Sequence, residues 1–113
     1  VGPEIISGST RLKAGTATKM VLNMISTASM IKLNHTFGNT MIDLVPKNKK
    51  LIQRALSIIM NELSINKNSA EKLYELSQHN LKIAIIIGKK NLSYNQAYRL
   101  LNDNNNSLEE ALN

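Results

Sequence analysis

Residues 2–19, GPEIISGSTRLKAGTATK, decide how the rest of the chain is interpreted. This stretch places hydroxyl and cationic side chains around Gly8, immediately before an apolar run. A helix that begins here directs free backbone N–H groups and the positive end of its dipole at the same place. The pattern therefore favours a site for a phosphate or an acidic sugar. An ordinary helix start with Ser9 or Thr10 as N-cap explains the same residues equally well, and both interpretations stay open.

The apolar run that follows predicts one long helix from Ser9 to about Leu33. Its apolar residues recur at spacings of three and four, and further apolar residues widen that face. A helix this apolar is usually covered on most sides, so we expect a long buried helix. Lys19, Asn23 and Thr27 lie one turn apart and form a polar stripe. We interpret the stripe as a solvated edge in preference to a wall of a binding site.

A connection rich in turn-forming residues follows over residues 34–46, and it ends at Pro46. We expect a short turn of helix at Thr40–Leu44 and a second helix from about Lys47 to Leu63. His35 stands alone before a turn, without a second histidine or a carboxylate at the spacing of metal ligands. It is therefore predicted to be a surface residue.

The last part of the chain contains an internal repeat, because Ile65–Ile85 aligns without gaps on Leu92–Leu112. Each copy predicts helix, tight turn and helix, with Asn80 and Ser107 as N-caps of the second helices. Two copies make a compact four-helix cluster that resembles ubiquitin-associated modules, although fold does not carry function. The predicted core of this cluster consists of Ala70, Leu73, Leu81, Ala84, Ile85, Ala97, Leu100, Leu108, Ala111 and Leu112. The fold class predicted for the chain is all-α.

The composition and net charge of the chain limit the kinds of molecule that it is expected to bind. The 113 residues carry a net charge of +6, and the whole surplus lies in residues 1–60. A basic half can bind nucleic acid, but only 4% of the residues are aromatic and no nucleic-acid-binding motif is evident, so we expect no nucleic-acid partner.

The absence of cysteine excludes disulfides and cysteine-ligated metals, and we expect neither a metal nor a cofactor. The longest mostly apolar run, Met20–Leu33, is too short to span a bilayer, so we expect a cytoplasmic protein without a membrane partner.

Three segments of the chain resemble a known family. GPEIISGSTRLKAGTATKMVLNMIST (2–27), MIKL (30–33) and FGNTMIDL (37–44) are similar to the signature of the N-acetylmuramic acid 6-phosphate etherases, which the glucokinase regulatory protein shares. The resemblance covers nearly the whole chain. It implies the C-terminal part of a longer α/β protein with a sugar-isomerase-type (SIS) domain. Residues 1–64 would be the last segment of that domain, and residues 65–113 a small helical subdomain.

The resemblance also implies a function. The family cleaves the lactyl ether of a phosphorylated amino sugar, and its acid/base glutamates lie in the part of the protein that precedes this sequence. No catalytic residue is therefore assigned, and the chain alone is expected to be inactive. The signature residues expected to line the substrate site are Glu4, Ser9, Thr10, Arg11 and Lys13. A homodimer is expected. The alternative function is that of a non-catalytic sugar-phosphate sensor similar to the glucokinase regulatory protein.

Overall fold

A computed structural model describes residues 1–9 and 11–113, which divide into two compact units, Val1–Leu33 and Asn34–Asn113. The sequence instead predicts a division after residue 64. The second helix belongs with the later helices in the structure, because its buried face packs against the two helices that follow it. The division of the longer protein at residue 64 stays a prediction.

The first unit contains one helix, α1, at Arg11–Lys32. This confirms the long helix predicted between Ser9 and Leu33. Its expected burial is wrong for this chain: no described residue of α1 is buried, and Met20, Leu22 and Ile25 are more than half exposed. The physical reason is that the apolar residues surround the helix, while its unit supplies only the residues of the lead-in to pack against them.

A small hairpin opens the second unit. Strands β1 (Thr36–Phe37) and β2 (Thr40–Met41) pair antiparallel, with Thr36 opposite Met41 and Phe37 opposite Thr40. The short helical turn predicted at Thr40–Leu44 is therefore wrong. Gly38 adopts a φ of +55°, which a tight hairpin turn requires and which glycine accepts without steric cost. Apart from this two-stranded ladder, the regular elements in the described residues are helices, as the sequence predicts.

Five helices complete the second unit. They are α2 (Lys49–Leu63), α3 (Lys67–Leu76), α4 (Leu81–Lys90), α5 (Tyr94–Asp103) and α6 (Leu108–Leu112). Each begins after an asparagine or serine whose side chain accepts a hydrogen bond from a backbone N–H of the first turn. The predicted N-caps Asn80 and Ser107 are confirmed. Helix α2 begins two residues later than predicted, because Asn48 serves as its cap.

The helix starts follow the period of the predicted internal repeat. Helix α3 begins at residue 67 and α5 at residue 94, and α4 begins at residue 81 and α6 at residue 108, so both pairs are 27 residues apart. The turn between the helices of each copy contains two consecutive residues with positive φ, Gln78 and His79 in the first and Asn105 and Asn106 in the second. The two copies therefore use the same turn geometry with different side chains.

The core forms around α4. This helix contacts α2, α3, α5 and α6, and its residues 81–86 are all buried. Seven of the ten predicted core residues are buried, and Leu73, Leu100 and Leu112 are partly buried against them. Helix α2, which lies outside the predicted four-helix cluster, adds Ala55, Leu56 and Ile59 to the same core.

Gly88 allows α4 to pack closely against side chains of α2 and α3. A Cβ atom at this position would overlap the Leu63 side chain of α2 and would lie 3.2 Å from Leu73 Cδ1 of α3. Overpacking of a core typically costs about 1–3 kcal/mol, whereas the better helix propensity of alanine returns about 1 kcal/mol. We therefore expect Gly88→Ala to lower the free energy of unfolding by about 1 kcal/mol in urea titrations. Gly15→Ala is the matched control, since its Cβ meets nothing within 4 Å; a control that destabilises as much would contradict the packing argument.

Candidate functional site

The structure brings together two of the predicted substrate-binding residues, Glu4 and Lys13. Glu4 Oε1 accepts a hydrogen bond of 2.6 Å from the backbone N–H of Lys13. The Lys13 ammonium donates to the carbonyl oxygen of Pro3 at 2.7 Å. Lys13 is the third residue of α1, so the Glu4 carboxylate satisfies one of the free N–H groups at the start of the helix.

The remaining predicted residues surround this contact. The backbone N–H of Ser9 donates to the Ile6 carbonyl at 3.1 Å, which closes the turn that contains Gly8. Glu4 and Ser9 line one cavity of about 430 Å³, and Arg11 is exposed in the first turn of α1. Thr10 lies outside the described residues. The assignment of these side chains to a substrate site stays a prediction.

Glu4 changes the electrostatics of the predicted anion site. The positive end of a helix dipole attracts a negative group, and in this structure that group is the carboxylate of the chain itself. The choice between an anion site and an ordinary helix start with Ser9 or Thr10 as N-cap stays open. A phosphate bound at the Lys13 N–H would have to displace Glu4.

A second polar cluster, formed by Lys82, Asp43 and His35, was missed by the sequence analysis. Lys82 in the first turn of α4 is only 1% exposed. Its ammonium donates to the carbonyl oxygens of Asn34 at 2.7 Å and Asn106 at 2.8 Å, and it lies 2.9 Å from Asp43 Oδ2. The two carbonyl groups accept hydrogen bonds from the ammonium and the Asp43 carboxylate is its counter-ion, so the buried charge is both hydrogen-bonded and paired.

His35 belongs to the same cluster. Its Nδ1 lies 2.6 Å from Asp43 Oδ2, and both side chains are about one-third exposed. The hairpin places Asp43 beside His35, a neighbour that the spacing of the two residues in the sequence does not indicate. Among residues 1–9 and 11–113, no three His, Cys, Asp or Glu side chains gather as a metal site would require.

One local signal marks Lys82 in the sequence. It is the only charged residue within LKIAIII (81–87), whose other members are apolar. The corresponding residue of the second repeat copy, Glu109, is exposed. A lone cation in a buried segment requires hydrogen-bond acceptors or a counter-ion close to it. The sequence does not indicate that residues 34, 43 and 106 supply these groups.

We expect Lys82→Met to destabilise the second unit by roughly 3 kcal/mol, because it leaves Asp43 without its counter-ion and two carbonyl groups without their donor. Urea unfolding followed by circular dichroism measures this loss. The matched control is Lys67→Met, since Lys67 is exposed and lies 3.8 Å from Glu71; exposed pairs of this kind contribute less than about 1 kcal/mol. Equal losses in the two variants would contradict a special role for the buried ammonium.

Comparison with known proteins gives consistent relatives over the whole chain. It is 47% identical over 113 residues to the N-acetylmuramic acid 6-phosphate etherase of Staphylococcus epidermidis, covering 100% of this chain and 38% of that protein. The etherase of Lactobacillus gasseri is 48% identical over 113 residues, again 100% of this chain and 38% of the relative. The etherase of Prochlorococcus marinus strain SARG is 50% identical over 111 residues, which is 98% of this chain and 36% of the relative.

These identities decide the relationship. The chain is a relative of the C-terminal part of N-acetylmuramic acid 6-phosphate etherases. The resemblance inferred from residues 2–44 is thereby confirmed. No family model matches the chain. The chain spans less than two-fifths of the length of the etherases it matches.

No helix in the described part of the chain is long and apolar enough to cross a membrane.

Proposed function

We propose that this chain is part of an enzyme that cleaves the D-lactyl ether of N-acetylmuramic acid 6-phosphate. The products are N-acetylglucosamine 6-phosphate and D-lactate, and the pathway is cell-wall sugar recycling in the cytoplasm. The observation that carries the proposal is the identity of 47–50% over essentially all of this chain to proteins named as etherases. Those names favour the enzyme over the sugar-phosphate sensor.

The chemistry of ether cleavage explains why the chain alone is expected to be inactive. Elimination needs a base for the proton next to the carboxyl group and an acid for the leaving oxygen. Glu4 is bound to the start of α1, and Asp43 is bound to Lys82 and His35. Neither carboxylate is thus available as half of an acid/base pair. We assign that pair to the part of the protein that precedes this sequence.

The chain's own contribution is binding. In this proposal Glu4, Ser9, Thr10, Arg11 and Lys13 line the sugar-phosphate site, with Arg11 and Lys13 supplying charge and the hydroxyls supplying donors. Residues 1–64 complete a sugar-isomerase-type (SIS) domain, and residues 65–113 form a small helical subdomain similar to ubiquitin-associated modules. No cofactor takes part.

The activity test compares the 113-residue chain with a whole protein that contains it. We expect enzyme-dependent release of D-lactate from N-acetylmuramic acid 6-phosphate by the whole protein and none by the chain alone. Release by the isolated chain would contradict the assignment of the acid/base pair. A whole protein that binds the sugar phosphate without cleaving it would favour the sensor.

In the whole protein, Arg11→Ala and Lys13→Ala are expected to weaken substrate binding about tenfold, because each removes a charge-assisted contact with the phosphate. Isothermal titration with the phosphorylated sugar measures the change. Lys32→Ala, at the opposite end of α1, is the matched control and should bind normally. Unchanged affinity in both signature variants would reject the phosphate site, and loss of helical protein would indicate a structural role for the stretch.

The exposed apolar surface of α1 supports a homodimer. Leu12, Met20, Leu22, Met24 and Ile25 each expose more than half of their surface, and an apolar area of this extent is unusual on a monomer. We expect the chain to sediment as a dimer at micromolar concentration. Leu22→Glu should dissociate it, whereas Asn23→Glu on the polar stripe should not. A monomeric parent chain would contradict the proposal.

A further inference from the structure

A cavity of about 430 Å³ in the second unit is lined by three separate segments of the chain. Residues 42–45 follow the hairpin, residues 78–81 include the turn between α3 and α4, and Asn106 belongs to the corresponding turn of the second repeat copy. Leu44 is half-buried and Val45 is 65% exposed, so both offer apolar surface to a ligand. Small-molecule sites typically combine such a surface with a few polar groups.

Asp43 is the one carboxylate among the residues that line this cavity. Its Oδ2 lies 2.9 Å from Lys82 Nζ and 2.6 Å from His35 Nδ1, whereas Oδ1 has no hydrogen-bond partner within residues 1–9 and 11–113. Two neighbours therefore fix the orientation of the carboxylate, although the side chain is 29% exposed. Asp43 thus keeps an oriented acceptor for a ligand.

The buried ammonium of Lys82 decides which charge of ligand this cavity favours. Lys82 is 1% exposed, so it neutralises Asp43 but cannot itself contact a ligand. A cationic ligand would gain little from a carboxylate that is already paired, and an anionic ligand would lie beside the Asp43 charge. A neutral ligand avoids both disadvantages, and its hydroxyl group can donate to the carboxylate.

Two amide side chains complete the polar lining, Gln78 and Asn106. Both residues are exposed, and they belong to the equivalent turns of the two repeat copies, with φ of 53° and 60°. In the described part of the chain, neither side-chain amide makes a hydrogen bond. An amide provides donors and an acceptor together. Two free amides beside a fixed carboxylate can therefore bind several hydroxyl groups of one molecule.

We propose that this cavity binds a neutral molecule with adjacent hydroxyl groups, such as the ring of an unphosphorylated sugar. One hydroxyl donates to the Asp43 carboxylate, and its neighbours exchange hydrogen bonds with the amides of Gln78 and Asn106. The C–H face of the ring lies against Leu44 and Val45. These residues all belong to the second unit, so the proposal is independent of the sugar-phosphate site proposed at the start of α1.

The test uses the purified chain labelled with nitrogen-15 and titrated with glucose. Cyclohexanol is the ring with a single hydroxyl, and glucosamine is the cationic counterpart. We expect glucose to shift the backbone amide signals of Asp43, Gln78 and Asn106 with a dissociation constant in the millimolar range. Cyclohexanol and glucosamine should bind at least about fivefold more weakly. Equal binding of cyclohexanol, shifts located elsewhere, or an absence of shifts would overturn the proposal.

Glycine variants test the two amides, because glycine accepts the left-handed backbone of both turns. The pair Gln78→Gly with Asn106→Gly should weaken glucose binding at least about fivefold, and it retains the residue 106 carbonyl that binds Lys82. Asn105→Gly is the matched control, since residue 105 has a φ of 55° in the same turn but does not line the cavity.

The control should bind glucose as the parent does. Asp43→Asn should also weaken binding, but it removes the counter-ion of Lys82 and is expected to destabilise the fold. The glycine pair leaves that ion pair in place, so its result decides. Full binding by the glycine pair would overturn the proposal, and it would leave the sugar-phosphate proposal untouched.

Discussion

The buried ammonium of Lys82 holds together parts of the chain that the helices alone would leave separate. Its three partners come from the residue before the hairpin, the residues after it, and the turn of the second repeat copy. A cation in this position tolerates no missing partner, because an unpaired buried charge costs several kcal/mol. The same cost fixes the path of residues 34–43 against the helical core. Apolar packing, which has no direction, could not specify that path as sharply.

The helices of the repeat position Lys82 and the Asn106 turn so that the contacts of the buried ammonium can form. Helix α4 is central because it is apolar on nearly all sides, and its neighbours each cover one of its faces. The two copies share the positions of their helix starts, N-caps and left-handed turn residues, yet they differ in almost every chemically active side chain. Lys82 is matched by Glu109 and Tyr74 by Leu101. The shared residues therefore explain the fold, and the differences show where the first copy has acquired further contacts.

The sequence predicts what depends on neighbouring residues. Caps such as Asn80 and Ser107 and the spacing of apolar residues are local signals, and the structure confirms both caps. The hairpin was missed because two residues per strand leave no alternating pattern to detect. The Lys82 cluster was missed because its partners are 24 to 48 residues away in the chain. The exposure of α1 depends on what covers the helix, which the residues of the helix do not specify.

At the candidate substrate site too, the sequence indicates the local pattern but not the contact that forms there. Hydroxyls, cations and a helix start identify a place where an anion is stabilised, and the structure places the Glu4 carboxylate there. The Lys13 N–H cannot donate fully to both a carboxylate and a phosphate, and two anions at one helix start repel each other. Phosphate bound in this position therefore requires Glu4 to move away. A phosphate bound through Arg11 alone leaves Glu4 in place as the cap. In the first arrangement Glu4 competes with the phosphate for the Lys13 N–H. In the second arrangement Glu4 keeps the helix start in place while Arg11 binds the phosphate. The position of the Glu4 carboxylate therefore decides which residues of the stretch bind the phosphate.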